Sequence, residues 1–170
     1  MHIPVTKVSI YLVALFFNLA NVTAFAQTET AVISLYGIGD LKTGITSSQL
    51  EKLIHSPIKK LNNSFDTIHC IYKGIDLDIC LEQGEFKIYT VDDIICNNVK
   101  IKTSSGIGIG DDPLKIFNAC KNLFFCQSPQ TATAFSSITI YKPGESWFQI
   151  IFSLRNNKVE KIRIHKVTDD

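Results

Sequence analysis

Alternation of apolar and polar residues dominates the second half of the chain. Segment 146–154 places an apolar side chain at every second position, the period-two pattern of a strand with one buried face. Similar alternation runs through 135–142 and 158–166, with turns expected at 143–144 and 156–157. We predict three antiparallel strands here. The buried set of the middle strand is Phe148, Ile150, Phe152 and Leu154.

The same pattern occurs in the first half. Segments 68–72 and 75–81 alternate about a Lys73-Gly74 turn, so their apolar residues share one face. Gln83-Gly84 turns the chain into 86–91, and Asn97-Asn98 separates 94–95 from 99–102. These segments predict four short strands.

Helical spacing precedes each group of strands. Thr46 and Gln49 form a capping-box pair, and the apolar residues after them predict a helix over 46–55 that stops before Pro57. That apolar stripe is Leu50, Leu53 and Ile54.

The second helix is predicted to start after Gly110 as N-cap. Asp111 and Asp112 then complement the positive end of the helix dipole, and Pro113 falls in the first turn, where its missing N–H is harmless. Its predicted buried stripe is Ile116, Phe117, Cys120 and Phe124.

The two helix starts resemble each other in sequence. Gly44-Ile45-Thr46-Ser47-Ser48-Gln49-Leu50 aligns with Gly108-Ile109-Gly110-Asp111-Asp112-Pro113-Leu114. We therefore predict an α+β protein of two tandem repeats, 27–102 and 103–170, each a short helix followed by an antiparallel β-sheet.

The N-terminal segment predicts export. Lys7, the apolar run from Val8 to Leu19 and the sequence Ala24-Phe25-Ala26 form a secretory signal peptide over 1–26. A membrane anchor is the alternative, but asparagines interrupt the run. We expect a secreted or periplasmic protein with no membrane span after removal of the signal.

Charge narrows the range of partners. The chain has 17 Lys and Arg against 16 Asp and Glu, and removal of Lys7 leaves the two signs balanced. A net charge near zero argues against nucleic acid or an anionic membrane as partner.

Five cysteines lie after the signal. An exported protein favours disulfides, and proximity in sequence predicts a Cys120–Cys126 bond. Cys80 with Cys96 is the second expected pair, which leaves Cys70 as a buried thiol or an intermolecular link.

The face opposite the predicted core carries aromatic and cationic side chains, a composition typical of protein-binding surfaces. An ordinary solvated sheet face is the alternative. The predicted binding residues are Tyr141, Trp147, Gln149, Lys161, Arg163 and His165.

No motif indicates catalysis. The glycines of 106–110 lack the lysine of a phosphate loop, and two acidic residues follow them. Asp76 and Asp78 share one strand face and could hold a cation. Such a pair of carboxylates more often lies on a solvated strand edge without a bound ion. We expect a non-enzymatic chain without a cofactor or a metal.

The Gly-hydrophobe-Thr-x-x-Gln-hydrophobe segment at 44–50 resembles the helix start of the beta-lactamase-inhibitor-like superfamily. That superfamily includes secreted inhibitory proteins and small outer-membrane assembly lipoproteins. The resemblance implies paired α+β repeats with a sheet surface that binds another protein. We expect an exported protein-binding module, such as an inhibitor or immunity protein for an extracytoplasmic enzyme or toxin. The alternative is an envelope structural, assembly or small-ligand-binding protein.

Overall fold

The computed structural model describes residues 31–59, 61–120, 125–127 and 136–167. Strand accounts for 52% of these residues. The strands are β1 (Val32–Ser34), β2 (Gly37–Ile38), β3 (Leu41–Lys42), β4 (Phe65–Tyr72), β5 (Ile75–Gln83), β6 (Tyr89–Cys96), β7 (Lys102–Thr103), β8 (Phe125–Gln127), β9 (Ser136–Lys142), β10 (Glu145–Arg155) and β11 (Lys158–Lys166). The helices are α1 (Ser47–Ile54) and α2 (Pro113–Cys120).

The large sheet has seven strands in the order β4-β5-β6-β11-β10-β9-β8. Every neighbouring pair in it is antiparallel. The central β6–β11 pair joins the two parts of the chain, with Ile94 opposite Ile164 and Cys96 opposite Ile162. The sheet therefore runs without a break from the first half of the sequence to the second.

The predicted fold class is wrong. Instead of two tandem helix-plus-sheet repeats, the structure is mostly β, with two sheets and two helices of eight residues each among the described residues. The reason is that β6 and β11 form backbone hydrogen bonds with each other. The strands expected in two separate sheets therefore belong to one sheet.

The small sheet has the order β3-β2-β1-β7, and of its strands only β7 overlaps a predicted one, that over 99–102. β1 pairs antiparallel with β2 and parallel with β7. Its apolar residues Ile33, Ile38 and Leu41 are at most 1% exposed. They belong to the same core as the large sheet.

One face of the large sheet forms that core. Predicted buried residues Ile150, Phe152 and Leu154 are at most 4% exposed, and Phe148 is partly buried. α1 contributes Leu50 and α2 contributes Ile116 and Cys120. Phe117, which helical spacing placed in the core, is 45% exposed.

The start of α1 confirms the sequence prediction, whereas the start of α2 corrects it. Thr46 accepts a hydrogen bond from the Gln49 N–H, and the Gln49 side chain accepts one from the Thr46 N–H. At α2 the cap is Asp112 rather than Gly110, because Asp112 Oδ1 accepts from the Lys115 N–H at 3.0 Å.

The strands after α1 also differ in detail from the prediction. β6 begins at Tyr89 rather than at Phe86, where the predicted strand starts, and it runs unbroken to Cys96. Residues 85–87 form a 3₁₀ turn in which Phe86 is 90% exposed and has a left-handed φ of 56°. Of the strand predicted over 99–102, only Lys102 lies in an observed strand, β7 (Lys102–Thr103).

The expected Cys80–Cys96 disulfide is absent. Cys96 lies opposite Leu77 on the core face, while Cys80 lies opposite Asp93 on the other face, and both are thiols. Side chains on opposite faces of a sheet cannot reach one another to form a bond. Cys70 is also a thiol and is 8% exposed. The signal peptide, Phe124 and the side chain of Cys126, and with it the Cys120–Cys126 pairing, lie outside the described residues.

In the part of the chain that the structure describes, neither helix has the length and apolar character that crossing a membrane requires.

Candidate functional site

The face of the large sheet opposite the core, here called the outer face, carries a row of side chains across five strands. Tyr141 lies opposite Gln149, and Gln149 lies opposite His165. His165 in turn faces Asp93, which faces Cys80. Directly opposed residues point to the same side of a sheet, so these five side chains form one polar row.

Asp93 contacts two basic side chains, those of Arg163 and His165. Arg163 Nε donates to Asp93 Oδ1 at 2.7 Å, and Arg163 Nη2 lies 2.6 Å from Oδ2. His165 Nδ1 lies 2.9 Å from Oδ1. The Asp93 side chain is 5% exposed, whereas that of Arg163 is 40% exposed. A buried carboxylate thus binds a guanidinium bidentately, on an arginine side chain that is 40% exposed.

The charge state of this pair follows from its contacts. Burial acts to raise the pKa of Asp93, but the hydrogen bonds and charges of His165 and Arg163 outweigh burial and leave that pKa lowered. The same hydrogen bond to Asp93 raises the pKa of Arg163. The two groups are therefore an ion pair at neutral pH.

Asp92 lies beside Asp93 at a β-bulge. β5 and β6 pair as Cys80 with Asp93 and then Leu81 with Val91, which leaves Asp92 as the extra residue. Burial, followed by the negative charge of Asp93, raises the pKa of Asp92. Within the described part of the chain, no donor reaches Asp92 Oδ1. Two adjacent carboxyls thus have pKa values displaced in opposite directions.

The same bulge connects β6 to the start of α1. The Gly44 N–H donates to the Val91 carbonyl and the Val91 N–H donates to the Ile45 carbonyl, at 2.6 and 2.8 Å. Asp92 and Asp93 follow directly, so the helix entry fixes the backbone that presents both carboxyls.

Cys80 completes the row without being activated. Its thiol lies 3.5 Å from Thr67 Oγ1, and burial is the largest effect on its pKa, which is raised. A reactive cysteine requires a lowered pKa, because the thiolate is the nucleophile. The raised pKa therefore favours the neutral thiol of Cys80 over its thiolate.

The structure places all six predicted binding residues on strands β9, β10 and β11. Tyr141, Gln149 and His165 share the central row, and Arg163 follows His165 on β11, opposite Ile151. Lys161 faces Ser153 at one end of the outer face and is exposed.

Trp147 lies at the other end of the outer face. Its carbonyl accepts from the Val167 N–H at 2.7 Å, and its side chain is 46% exposed. It lies two residues from Gln149 on a strand whose pairing with β11 continues in register through Phe148.

The acidic half of the site was missed by sequence reasoning. Asp92 and Asp93 interrupt a strand between Val91 and Ile94, where alternation allows one polar residue and not two. Such a pair of acidic residues within an apolar strand is the signal of a bulge. Their partners Arg163 and His165 are 70 and 72 residues away in sequence, so no local pattern connects them.

The acidic pair singled out from sequence is a surface feature. His69 Nδ1 lies 3.0 Å from Asp78 Oδ1, and His69 Nε2 lies 3.8 Å from Asp76 Oδ1. All three side chains are between 48% and 65% exposed. Exposed pairs of this kind contribute little to stability.

A second donor set has the composition of a metal site. One ligand atom each from Asp92, Asp93 and His165 lies within 4.8 Å of the others. Arg163 already binds both carboxylate oxygens of Asp93. A cation at this site would have to displace the Arg163 guanidinium or lie next to its positive charge. As arranged, the outer face is better suited to present Arg163 than to coordinate a cation.

No protein-family model, no curated protein and no solved structure matches this chain. The fold and site themselves define the class: a mostly antiparallel β protein with one face of its seven-stranded sheet buried and the other carrying a fixed Asp-Arg-His cluster.

Proposed function

We propose that this chain is an exported protein-binding module that binds its partner through the outer face of the seven-stranded sheet. The single observation that carries the proposal is the buried Asp93, which binds Arg163 bidentately while the Arg163 side chain remains 40% exposed. An arginine whose rotamer is already fixed loses less entropy on binding than one that is free.

The chemistry of the partner follows from the donors that remain. A guanidinium carries five N–H groups, of which Asp93 engages one on Nε and one on Nη2. The others are suited to a carboxylate or a backbone carbonyl of a partner protein. Trp147, 46% exposed on the same face, supplies the aromatic area that is typical of binding hot spots.

The proposed location is secreted or periplasmic, because the sequence at 1–26 has the pattern of a signal peptide. An inhibitor or an immunity protein for an extracytoplasmic enzyme or toxin is the role we propose. We propose no catalysis, because the Cys80 thiol has a raised pKa and the Asp93 carboxylate is committed to Arg163.

The test is capture of a partner followed by affinity measurement. The full chain is expressed for export, immobilised, and used to retain proteins from the envelope and culture fluid of its own organism, with identification by mass spectrometry. Trp147→Ala is the test variant and Val99→Ala, at a side chain 64% exposed in a loop, is the matched control.

Each retained protein is then purified and its Kd measured by calorimetry. We expect wild type and Val99→Ala to bind equally and Trp147→Ala to bind at least about 30-fold more weakly, the usual effect of truncating a hot-spot aromatic. A partner that binds all three alike would refute binding through the outer face.

A cation-binding role is the second candidate, favoured by the short distances within Asp92, Asp93 and His165. Melting temperatures with and without Ca²⁺ or Zn²⁺ test it in wild type and Asp92→Asn. A rise with one ion in wild type that is lost in Asp92→Asn supports this role, and an unchanged melting temperature with both ions rejects it.

A further inference from the structure

β4 is the end strand of the large sheet, and among the described strands none pairs with its outer edge. In an antiparallel pair the backbone groups of alternate residues face the partner strand. The Gln83 N–H donates to the Ser64 carbonyl at 2.7 Å, so the even-numbered residues of β4 face β5. The odd-numbered residues Phe65, Thr67, His69 and Ile71 therefore direct their N–H and C=O groups away from the sheet.

Two large apolar side chains lie near the ends of this edge. Phe65 is 64% exposed and Ile71 is 61% exposed, while the residues between them on the same face, Thr67 and His69, are also exposed. A long edge strand with exposed apolar residues is a template for pairing with another strand.

The sequence of β4 is complementary to itself in one antiparallel register. When Ile68 lies opposite Ile68 on a two-fold axis, Phe65 of each copy faces Ile71 of the other copy. Thr67 faces His69, and Asp66 faces Cys70, so no two like charges oppose each other.

This register pairs the odd-numbered residues with one another, and these are the residues whose N–H and C=O groups face away from the sheet. Each facing pair of odd-numbered residues can exchange two hydrogen bonds, which gives about eight between the two strands. The even-numbered pairs, including Ile68 with Ile68, would be the non-hydrogen-bonded ones, whose side chains approach most closely.

A groove runs along the same edge and would receive the second strand. It has a volume of about 730 Å³ and lies between residues 66–71 of β4 and the segment that follows α1. Its apolar lining includes Ile54, Pro57, Ile58 and Leu61. A strand added in the proposed register would direct its own Ile68 from the core-facing side into this groove.

We propose that β4 is a homodimerisation strand: two copies of this chain pair their β4 strands antiparallel about Ile68, which extends the seven-stranded sheet across the two-fold axis. The outer face of each copy remains available, so this interface is independent of the proposed partner-binding function. Isologous strand pairing of this kind closes after two copies and does not propagate.

The experiment measures the mass and the dissociation constant of the protein by analytical ultracentrifugation, after expression of the full chain. Thr67→Pro removes an outward N–H without touching the β4–β5 ladder, and Ile71→Lys places a charge opposite each Phe65. Leu114→Lys is the matched control because Leu114 is 59% exposed on α2, away from β4.

We expect a dimer for wild type and Leu114→Lys, and a dissociation constant at least about tenfold higher for the two β4 variants, since each loses paired contacts on both sides of the axis. Circular dichroism checks that both variants keep the strand signal of wild type. A monomeric wild type at about 100 µM, well above typical dimer dissociation constants, overturns the proposal. So does a dimer that both β4 variants leave unchanged.

The register has its own test, which does not depend on loss of association. Ile68→Cys places two thiols across the axis at a separation that suits a disulfide. We expect a covalent dimer under mild oxidation for Ile68→Cys and none for Leu114→Cys. A shift of two residues would separate the thiols by about 7 Å along the strands, so failure of Ile68→Cys to cross-link while dimers persist overturns the register.

Discussion

Replacement of Asp93 by asparagine tests the central feature of the site. The side chain keeps its size and one acceptor oxygen but loses its charge. In the wild type, Asp93 accepts from Arg163 Nε at 2.7 Å, pairs with Nη2 at 2.6 Å and contacts His165 Nδ1 at 2.9 Å. In Asp93→Asn the amide nitrogen turns towards a donor, so one of these contacts becomes repulsive and the others lose their charge assistance.

The expected loss in the free energy of unfolding depends on the burial of Asp93 and on the partial exposure of Arg163. Removing one partner of a fully buried ion pair destabilises a protein by about 3–5 kcal/mol. Asp93 is 5% exposed, but Arg163 is 40% exposed and can recover part of its hydration. We therefore expect Asp93→Asn to reduce the free energy of unfolding by about 2–3 kcal/mol, between the buried and the surface limits.

The assay is urea denaturation at pH 7, followed by circular dichroism, with the free energy taken from the linear extrapolation. Asp76→Asn is the matched control, because Asp76 is 62% exposed and its histidine lies 3.8 Å away. That control should change the free energy by less than about 0.5 kcal/mol. A loss below about 1 kcal/mol in Asp93→Asn would refute the claim that the buried pair stabilises the outer face.

A double-mutant cycle with Arg163→Met isolates the pair from other effects. The two residues are in direct contact, so their effects should not add, and the coupling energy should be at least about 1 kcal/mol. Additive single effects would mean that Asp93 acts through packing rather than through Arg163.

Three further predictions concern groups around the site and the sheet. Because burial raises the pKa of Asp92, ionisation of Asp92 destabilises the fold as pH rises above about 4. Asp92→Asn should therefore be more stable than wild type at pH 7 and lose that advantage below about pH 4, as measured by urea denaturation across pH. Equal dependence of stability on pH in the two proteins would refute this. Thr46→Ala removes the α1 cap and should cost about 1 kcal/mol, while no change would indicate that the capping box is irrelevant. Gly37→Ala would place Cβ 1.9 Å from the Leu41 carbonyl oxygen and should cost about 3 kcal/mol or more, so a soluble variant with the melting curve of wild type would contradict the β2–β3 geometry.

Local patterns predicted the elements that depend on local chemistry. Alternation identified β9, β10 and β11 within one residue at each end. The capping box at Thr46 identified the start of α1. At α2 the same reasoning placed the helix but chose Gly110 over Asp112, because a glycine and two adjacent aspartates are all acceptable caps and only side-chain geometry decides among them.

The two-repeat architecture failed for a physical reason. Similar helix starts at 44–50 and 108–114 imply similar local structure and carry no information about which strands pair. Edge strands of two separate sheets would leave backbone groups exposed, and β6 pairing with β11 satisfies them. The short strands β1 and β7 have too few residues to show a period, and their parallel pairing brings together residues 70 positions apart.

The sequence alone determined which residues of β9–β11 face the core and which face outward, because the period of a strand assigns side chains to faces before any partner is known. It therefore placed Tyr141, Gln149, Arg163 and His165 on one surface correctly. Only the tertiary structure decided that Asp93 contacts Arg163 and His165 across the β6–β11 pair, since strand order and a bulge at Asp92 set that contact. The side-chain period is local, whereas pairing across a sheet joins distant segments by the geometry of their backbones.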